Sequence, residues 1–402
     1  MTQPTFSRPV RTWRRIIILL ALLLVSPAGA CSPAPSPATV TVTSVSAEQA
    51  ADVEAPDTGD KVPTAGGVVG VMTPLGQNPD KATTTLVSRD AEDGTLQWAV
   101  AIQPAAAKKW SLEPLDTPQS VVARFLTSPT TGYAVVSPDG LFISLVLHSD
   151  TAESGSAPIA TPGEQGAQIV GQSTWVLVLD ALTGQEVTTV EVSGILLGQV
   201  LTNDALVVQT AQEYYPGAGG TLHVVPLTSG SGEATTIPTE QWLAGASADS
   251  ILLSPRRVND FCPSDLCGPM TLTRMDTGGA VLGAMTGVTR VYRGGWVERF
   301  TDPAAAVDLL VAADTMTQED FTSTWNTLGR EVVDIDTSNT VDVTGMRVSH
   351  THLPTGPGLL VEQPHPGEEP DATTTYTPVL WMSAADDGQP HTDNLDTLTP
   401  ER

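Results

Sequence analysis

Residues 174–192 read T-W-V-L-V-L-D-A-L-T-G-Q-E-V-T-T-V-E-V, and this stretch decides the fold. The side chains of a β-strand alternate between two faces, and here both faces are apolar. Trp175, Leu177 and Leu179 lie on one face, and the two valines between them lie on the other. A strand of this composition has to be covered on both sides, which predicts a strand inside a stack of sheets.

A tight turn is predicted directly after this strand. The carboxylate of Asp180 can accept hydrogen bonds from the backbone N–H groups that follow it, and Gly184 can adopt a positive φ without strain. The polar, β-branched run Gln185–Val192 then reads as the return strand. We therefore interpret residues 174–192 as a β-hairpin.

Similar strand–turn–strand units recur along the chain, some with an acidic residue before the turn and some with a glycine in it. They lie at Leu86–Val100, Ala134–Leu147, Leu222–Ala234, Thr271–Gly283, Thr324–Ile335 and Leu380–Thr392. The units start about 40 to 56 residues apart, which is the period of four-stranded propeller blades. We predict a structural role in the turns for Asp90, Gly94, Asp139, Gly140, Asp180, Gly184, Asp276 and Gly278.

The unit V-L-V-L-D-A-L-T-G-Q-E resembles the repeat of quinoprotein-type (PQQ-like) β-propellers, whose blades often carry an L-D-x-x-T-G-x-x-x-W hairpin. Residues 137–140, S-P-D-G, are similar to a turn that is common in other propeller families. The resemblance implies an all-β fold with a single β-propeller over residues 66–397. Seven four-stranded blades fit the spacing best, with six or eight as alternatives. A pair of sandwiches is the rival fold, but it predicts a cleaner polar and apolar alternation.

Residues 1–30 have the pattern of a signal peptide. Four arginines precede the apolar run Ile16–Val25, and the small residues Ser26–Ala30 follow it. Ten apolar residues are too few to span a bilayer, which needs about 20. We therefore expect export, by the general route or, because Arg14 and Arg15 are adjacent, by the twin-arginine route.

Cys31 directly follows A-G-A, and this arrangement resembles a bacterial lipobox, in which the cysteine becomes the lipid-modified first residue of the mature protein. The resemblance implies a lipid anchor on the extracytoplasmic face of the cell membrane. Ordinary signal-peptidase cleavage is the alternative. The chain has four Lys beside 15 Arg and is rich in Ala, which suggests a GC-rich genome and, by association, an actinobacterium.

Residues 31–65 are predicted to be a disordered linker. They are rich in Ser, Pro, Ala and Thr, then acidic, and contain almost no large apolar side chains. Such a segment cannot bury enough surface to offset its ordering entropy. We expect it to tether the folded body to the membrane.

The cysteines fit an exported chain. With Cys31 assigned to the lipid, Cys262 and Cys267 remain as one pair, and we predict a disulfide that closes a short loop. A metal site is disfavoured because no His lies within 20 residues of the pair. His350 and His352 have the spacing of a metal pair on a strand, but no third ligand lies near them in sequence.

Charge limits the partners. Four of the 19 basic residues lie in the signal peptide, so the mature chain keeps 15 basic and 45 acidic residues, a net charge of −30. A body this acidic repels nucleic acid and anionic lipid headgroups. The longer connections, Asp150–Gly171, Glu213–Gly220, Asn259–Met270 and Pro364–Tyr376, are predicted to cluster on the propeller faces, where function is usually located.

The sequence lacks G-x-S-x-G, H-E-x-x-H and a Gly-rich phosphate loop. The family resemblance makes a PQQ-dependent dehydrogenase the enzyme alternative, but only Trp98 occupies the tryptophan position of the repeat. We expect a non-catalytic binding or scaffolding module without cofactor or metal, whose partner is an envelope protein or a glycan. An envelope-assembly factor is the third hypothesis.

Overall fold

Antiparallel sheets make up most of the computed structural model. Residues 1–35 and 36–402 separate into two units, and every described residue lies in the second. The structure describes residues 39–51, 60–72, 83–105, 111–118, 134–147, 165–170, 173–211, 220–227, 234–256, 268–353, 356–365, 375–384 and 389–398.

The first sheet is a four-stranded meander, meander 1, with one strand added at its outer edge. Its order is β1-β5-β4-β3-β2. The strands are β1 Thr41–Ser44, β2 Asp60–Thr64, β3 Gly67–Met72, β4 Thr84–Arg89 and β5 Leu96–Gln103. The short helix α1, Ala47–Ala51, packs on this sheet through the fully buried Ala50.

The predicted linker over residues 31–65 and the domain boundary at residue 66 are wrong where the structure describes this segment. β1 pairs antiparallel with β5, and β2 is a strand of meander 1. The backbone N–H of Val45 also donates to the Ala99 carbonyl at 2.9 Å. The composition of a segment indicates only whether the segment can bury its own apolar surface, and not whether it can pair with another strand. In the run T-V-T-V-T-S, Val40 and Val42 instead pack against a sheet that the rest of the chain forms.

Meanders 2 and 3 follow in chain order. Meander 2 consists of β7 Ala134–Val136, β8 Phe142–Leu147, β10 Ser173–Asp180 and β11 Glu186–Ser193. Meander 3 consists of β12 Ile195–Leu201, β13 Ala205–Ala211, β14 Gly220–Pro226 and β15 Thr235–Thr239. A separate ribbon pairs β6, Ser111–Pro118, with β9, Gln165–Val170.

Two of the units that were predicted to be separate blades belong to one sheet. β8 from the Ala134–Leu147 unit pairs with β10 from the 174–192 unit, so that Trp175 lies opposite Leu147. The prediction that both faces of β10 are covered is confirmed. Leu177 packs against meander 1, and Val176 packs against meander 3.

A seven-stranded sheet contains meanders 4 and 5. Its strands are β16 Trp242–Ala246, β17 Ser250–Ser254, β18 Met270–Asp276, β19 Val281–Val291, β20 Trp296–Phe300, β21 Arg330–Asp334 and β22 Thr340–Asp342. β19 pairs with β18 mainly through its first half and with β20 through its second half. It therefore closes meander 4 and opens meander 5, and Gly287, with φ +80°, lies between its halves.

Meander 6 consists of β23 Arg347–Leu353, β24 Gly356–Pro364, β25 Tyr376–Ser383 and β26 Pro390–His391. Two helices, α2 Pro303–Ala312 and α3 Gln318–Thr327, connect β20 to β21, and 3₁₀ turns cover Ala313–Thr315 and Leu395–Thr397. The Thr324–Ile335 unit is thus the end of a helix followed by β21. Asp302 caps α2 by accepting from two backbone N–H groups, and Pro303 opens the helix. Across the described ranges, no helix is both long and apolar enough to cross a bilayer.

Apolar clusters lie between each pair of consecutive meanders, from meander 1 to meander 6. β2 of meander 1 also contacts β23 and β24 of meander 6. This is the arrangement of blades in a β-propeller. The described residues contain six meanders, which is one of the predicted alternatives. The number is six and not seven because two of the predicted units, Ala134–Leu147 and residues 174–192, form one meander. The blade number itself stays a prediction.

The connections of the meanders divide between two ends. Neighbouring strands are antiparallel, so the connections from first to second and from third to fourth strand share one end, which we call the turn end. These connections contain two to eight residues. The connections from second to third strand contain eight to 29 residues and lie at the opposite end, which we call the long-connection end. All four predicted long loops leave and re-enter their sheets there.

One turn at the turn end places a non-glycine residue at positive φ. Ser338, between β21 and β22, has φ +62°. Ser338→Gly should raise the free energy of unfolding by about 0.5 to 1 kcal/mol, because a side chain in this region is strained. Urea unfolding measures the change. The matched control is Asn339→Gly at the next position, which should lower stability by at least about 0.5 to 1 kcal/mol, because it adds backbone freedom and removes the Asn339 side chain. Destabilisation by both glycines would contradict the strain at Ser338.

Candidate functional site

The predicted Asp turns lie at the turn end. In the Asp180 turn, Oδ1 accepts from the backbone N–H groups of Leu182 and Thr183 at 3.0 and 2.9 Å. The N–H of Gly184 donates to the Asp180 carbonyl at 2.8 Å, and Gly184 has φ +69°. The carboxylate therefore satisfies N–H groups that the turn leaves without a strand partner.

Two other turns have the same geometry. Asp90 accepts from the N–H groups two and three residues later, and Gly94 has φ +71°. Asp334 does the same in D-I-D-T-S, where Ser338 takes the glycine place. Because Ser338 replaces the glycine, the sequence pattern of an acidic residue followed by glycine does not identify this third turn.

The remaining two predicted turns differ in detail. Asp139 accepts from Leu141 N–H, and Gly140 has φ +73°. Asp276 accepts from the N–H groups of Gly278 and Ala280. Positive φ falls on Gly279, +94°, one residue after the predicted Gly278.

Hydrogen bonds at the turn end link each of the first four meanders to the next. Each bond joins a turn of one meander to a turn of its neighbour. They run from Ala65 N to Gly140 O (2.9 Å), from Asp139 N to Asn203 Oδ1 (3.1 Å), from Asn203 N to Ala248 O (2.9 Å) and from Ala248 N to Asp336 Oδ2 (2.8 Å). The predicted turn residue Asp139 thus fixes the position of a neighbouring sheet as well as its own turn.

Trp98 joins meander 1 to the Asp180 turn. Its indole Nε1 donates to the Ala181 carbonyl at 2.9 Å, and the side chain is buried. A Cβ on Gly184 would lie 2.6 Å from Cε3 of the Trp98 ring. Gly184 is therefore required both for its φ and for the close approach of the indole.

Arg274 connects meanders 4 and 5. Its guanidinium donates to the Ile335 carbonyl at 2.9 Å and contacts Asp249 and Asp336 at 2.9 and 3.0 Å. Burial raises the pKa of Asp336, and the nearby charge of Asp249 also raises it, whereas hydrogen bonds from Ser247 and Ala248 and the Arg274 charge act in the opposite direction. The hydrogen bonds and ion pairs of this cluster therefore hold meanders 4 and 5 together at the turn end.

A buried charged cluster lies between meanders 5 and 6. Glu298 on β20 is only 3% exposed. Its carboxylate accepts from the Tyr292 hydroxyl at 2.6 Å and from Arg330 Nη1 at 3.0 Å. Burial raises the pKa of the Tyr292 phenol well above its usual value, and the Glu298 charge adds to this effect. The phenol therefore remains a donor at neutral pH, and the His350 ring packs edge-on against it with centroids 5.5 Å apart.

A second buried carboxylate lies nearer the long-connection end of meander 6. Glu362 accepts from Arg347 Nε and Nη2 at 2.8 and 2.9 Å and from the Ser349 hydroxyl at 3.3 Å. The Arg347 guanidinium also lies over the Tyr376 ring, 4.2 Å from its centroid. The sequence contained no signal for either cluster, because their members come from different strands.

Helices α2 and α3 form the described part of the long-connection end on meander 5. They have a small core of their own, in which Trp325 packs edge-on against Phe300 and stacks on Phe321, with centroids 5.0 and 5.6 Å apart. Leu309 of α2 fills the same core. The helix pair is therefore packed against the end of β20 through this core.

Other predicted residues lie outside the described ranges. They are the proposed lipid attachment residue Cys31 and the proposed disulfide pair Cys262 and Cys267. Among the residues that the structure describes, no group of three or more His, Cys, Asp or Glu side chains is arranged to hold a metal ion.

The strand order and packing define the class: an all-β protein of successive four-stranded meanders, with a cross-linked turn end and an elaborated opposite end. No family model matches the chain, and no curated protein matches it. Solved structures match at low similarity. BamB from Moraxella catarrhalis is 12% identical, with coverage of 90% of this chain and 92% of that chain and a TM-score of 0.33.

Two further solved structures match at a similar level. The β-propeller domain of the trilobed protease from Pyrococcus furiosus is 12% identical, with coverage of 83% and 95% and a TM-score of 0.32. Pyrococcus horikoshii acylaminoacyl peptidase is 14% identical over 76% of this chain, with a TM-score of 0.36, and the chain spans 42% of the peptidase's length. Such scores are too low to assign a fold, so the class rests on strand order and packing.

Proposed function

We propose that this chain is a lipid-anchored, extracytoplasmic β-propeller that acts as a non-catalytic binding or scaffolding module. Its long-connection end contacts the partner, an envelope protein or a glycan. The observation that carries this proposal is the difference between the two ends. Short turns at one end bind one another from meander to meander, whereas the longer connections and the helix pair lie at the other. A rigid base that presents long loops is the usual construction of a binding surface.

The position of β1 supports an orientation for this surface. Thr41 pairs with Gln103, at the end of β5 that is remote from the Asp90 turn, so β1 starts at the long-connection end. Cys31 lies ten residues earlier, and a segment of that length reaches at most about 35 Å. A lipid on Cys31 therefore keeps the long-connection end within reach of the membrane.

The segment that contains Cys262 and Cys267 leaves and re-enters its sheet at the same end. Arg256 Nη2 donates to the Gly268 carbonyl at 2.7 Å. This bond holds together the two ends of the segment that contains Cys262 and Cys267. A short covalent loop between them is compatible with that closed base.

Photo-crosslinking in cells tests the proposal. A photoreactive residue at Ser323, on the exposed side of α3, should yield a discrete adduct with a partner. The matched control is Leu182, 49% exposed at the turn end, which should yield none. Cys31→Ser should release the chain from the membrane and abolish the Ser323 adduct. An adduct from Leu182 alone, or membrane retention of the Cys31→Ser chain, would contradict the proposal.

A further inference from the structure

The two helices of the long-connection end differ in how they use their apolar residues. In α3, Q-E-D-F-T-S-T-W-N-T, the two large apolar side chains, Phe321 and Trp325, are both buried. In α2, P-A-A-A-V-D-L-L-V-A, Asp308 is the only polar side chain among ten residues. A helix that is apolar on every side is normally buried on every side.

Only one side of α2 is covered. Ala306 and Leu309 face the helix-pair core. On the other side Val307 is 45% exposed and Val311, one turn later, is 78% exposed. Ala304 continues the same row toward the start of the helix and is also exposed. We call Ala304, Val307 and Val311 the α2 ridge.

The connection that carries the α2 ridge has charges of one sign only. Residues 301–329 contain five acidic residues and no Lys or Arg. All five are exposed: Asp302, Asp308, Asp314, Glu319 and Asp320. An apolar row with acidic surroundings is complementary to a surface that combines apolar side chains with Lys or Arg.

We propose that the α2 ridge is a docking surface for a basic, amphipathic segment of another protein. This inference rests on the proposed function, because it names the partner chemistry for the long-connection end. Charge argues against the other occupants. A second copy would bring the same five acidic side chains, anionic lipid would be repelled, and residues 257–267 carry two Asp and one Arg.

The test uses the full chain in cells, with a photoreactive residue at Val311. We expect an adduct whose partner peptide, identified by mass spectrometry, combines apolar residues with Lys or Arg. Asp308→Lys together with Asp314→Lys should reduce the adduct about tenfold, because attraction becomes repulsion. Val307→Asp should cause a similar loss without changing the unfolding temperature, since the side chain is exposed.

Two controls separate this inference from the proposed function. Glu92→Lys, an exposed charge reversal at the turn end, should leave the Val311 adduct unchanged. An adduct at Ser323 without one at Val311 would overturn the docking surface and leave the binding function standing. Crosslinks from Val311 to residues 257–267, to a second copy, to lipid or to a partner segment without basic residues would also overturn it. Loss of both adducts would overturn both proposals.

Discussion

Gly184→Ala should lower the free energy of unfolding by about 3 kcal/mol. An L-residue in the left-handed region costs about 1 to 2 kcal/mol, and forcing a methyl group against a packed side chain costs about 1 to 3 kcal/mol. Both terms apply here, because Gly184 has φ +69° and its Cβ would lie 2.6 Å from the buried Trp98 ring. Urea unfolding followed by circular dichroism measures the loss.

The chain contains a matched control for this prediction. Gly94 has nearly the same backbone angle, φ +71°, but no atom lies within 4 Å of the place where its Cβ would be. Gly94→Ala should therefore cost only the backbone strain, about 1 kcal/mol. The difference between the two variants is the steric contribution of Trp98. Equal losses at both positions would show that the indole does not dock on the turn.

A second background isolates the contact further. In a Trp98→Leu chain the aromatic ring is gone, so the additional cost of Gly184→Ala should fall to that of Gly94→Ala. Trp98→Leu alone should destabilise the chain by about 2 to 4 kcal/mol, since it removes a buried aromatic side chain and its bond to the Ala181 carbonyl. Additive costs in the double variant would contradict direct contact.

Glu298→Ala should cost about 3 to 5 kcal/mol, the range for removing one partner of a buried ion pair. The variant leaves the Arg330 guanidinium and the Tyr292 hydroxyl without their shared acceptor between meanders 5 and 6. Glu298→Gln should cost less, because its amide oxygen can still accept from Tyr292. Urea unfolding midpoints at neutral pH measure both losses.

Glu331→Ala provides the comparison for Glu298. It also removes a carboxylate that binds an arginine on a neighbouring strand, at 2.6 Å from Arg299. Its partner is more exposed, 31% against 16% for Arg330, and ion pairs open to water contribute about 0 to 1 kcal/mol. We expect a loss of at most about 1 kcal/mol. Similar losses at the two positions would mean that Glu298 is better solvated than its burial indicates.

Local chemistry made part of this fold predictable. The alternation in β10 indicated two covered faces, and the D-A-L-T-G sequence indicated the Asp180 turn, because both depend on residues close in sequence. Pairing between β8 and β10 was not predictable in this way. The spacing of repeats locates hairpins but does not show which hairpins share a sheet. The two hairpins of meander 2 were therefore predicted to be two blades.

Other features needed three-dimensional information. β1 has the composition of a tether and becomes ordered only because the β5 edge is available to it. The Glu298 cluster joins strands that carry no common sequence pattern. The run of residues 303–313 is apolar almost throughout, so its sequence does not distinguish a covered side from an exposed one, and only the fold shows that Val311 faces outward. The turn residues were accessible from sequence, whereas the candidate docking surface was not.

The added strand β1 has a consequence for encounters between copies of this chain. The outer edge of β5 would otherwise present unpaired N–H and C=O groups, and such edges recruit strands from other molecules. Under the proposed lipid anchor, copies of the chain would diffuse in two dimensions and would meet one another often. β1 moves the free edge from β5, a strand of 8 residues, to a strand of 4 residues, and so short an edge is a poor template for pairing with the sheet of another copy.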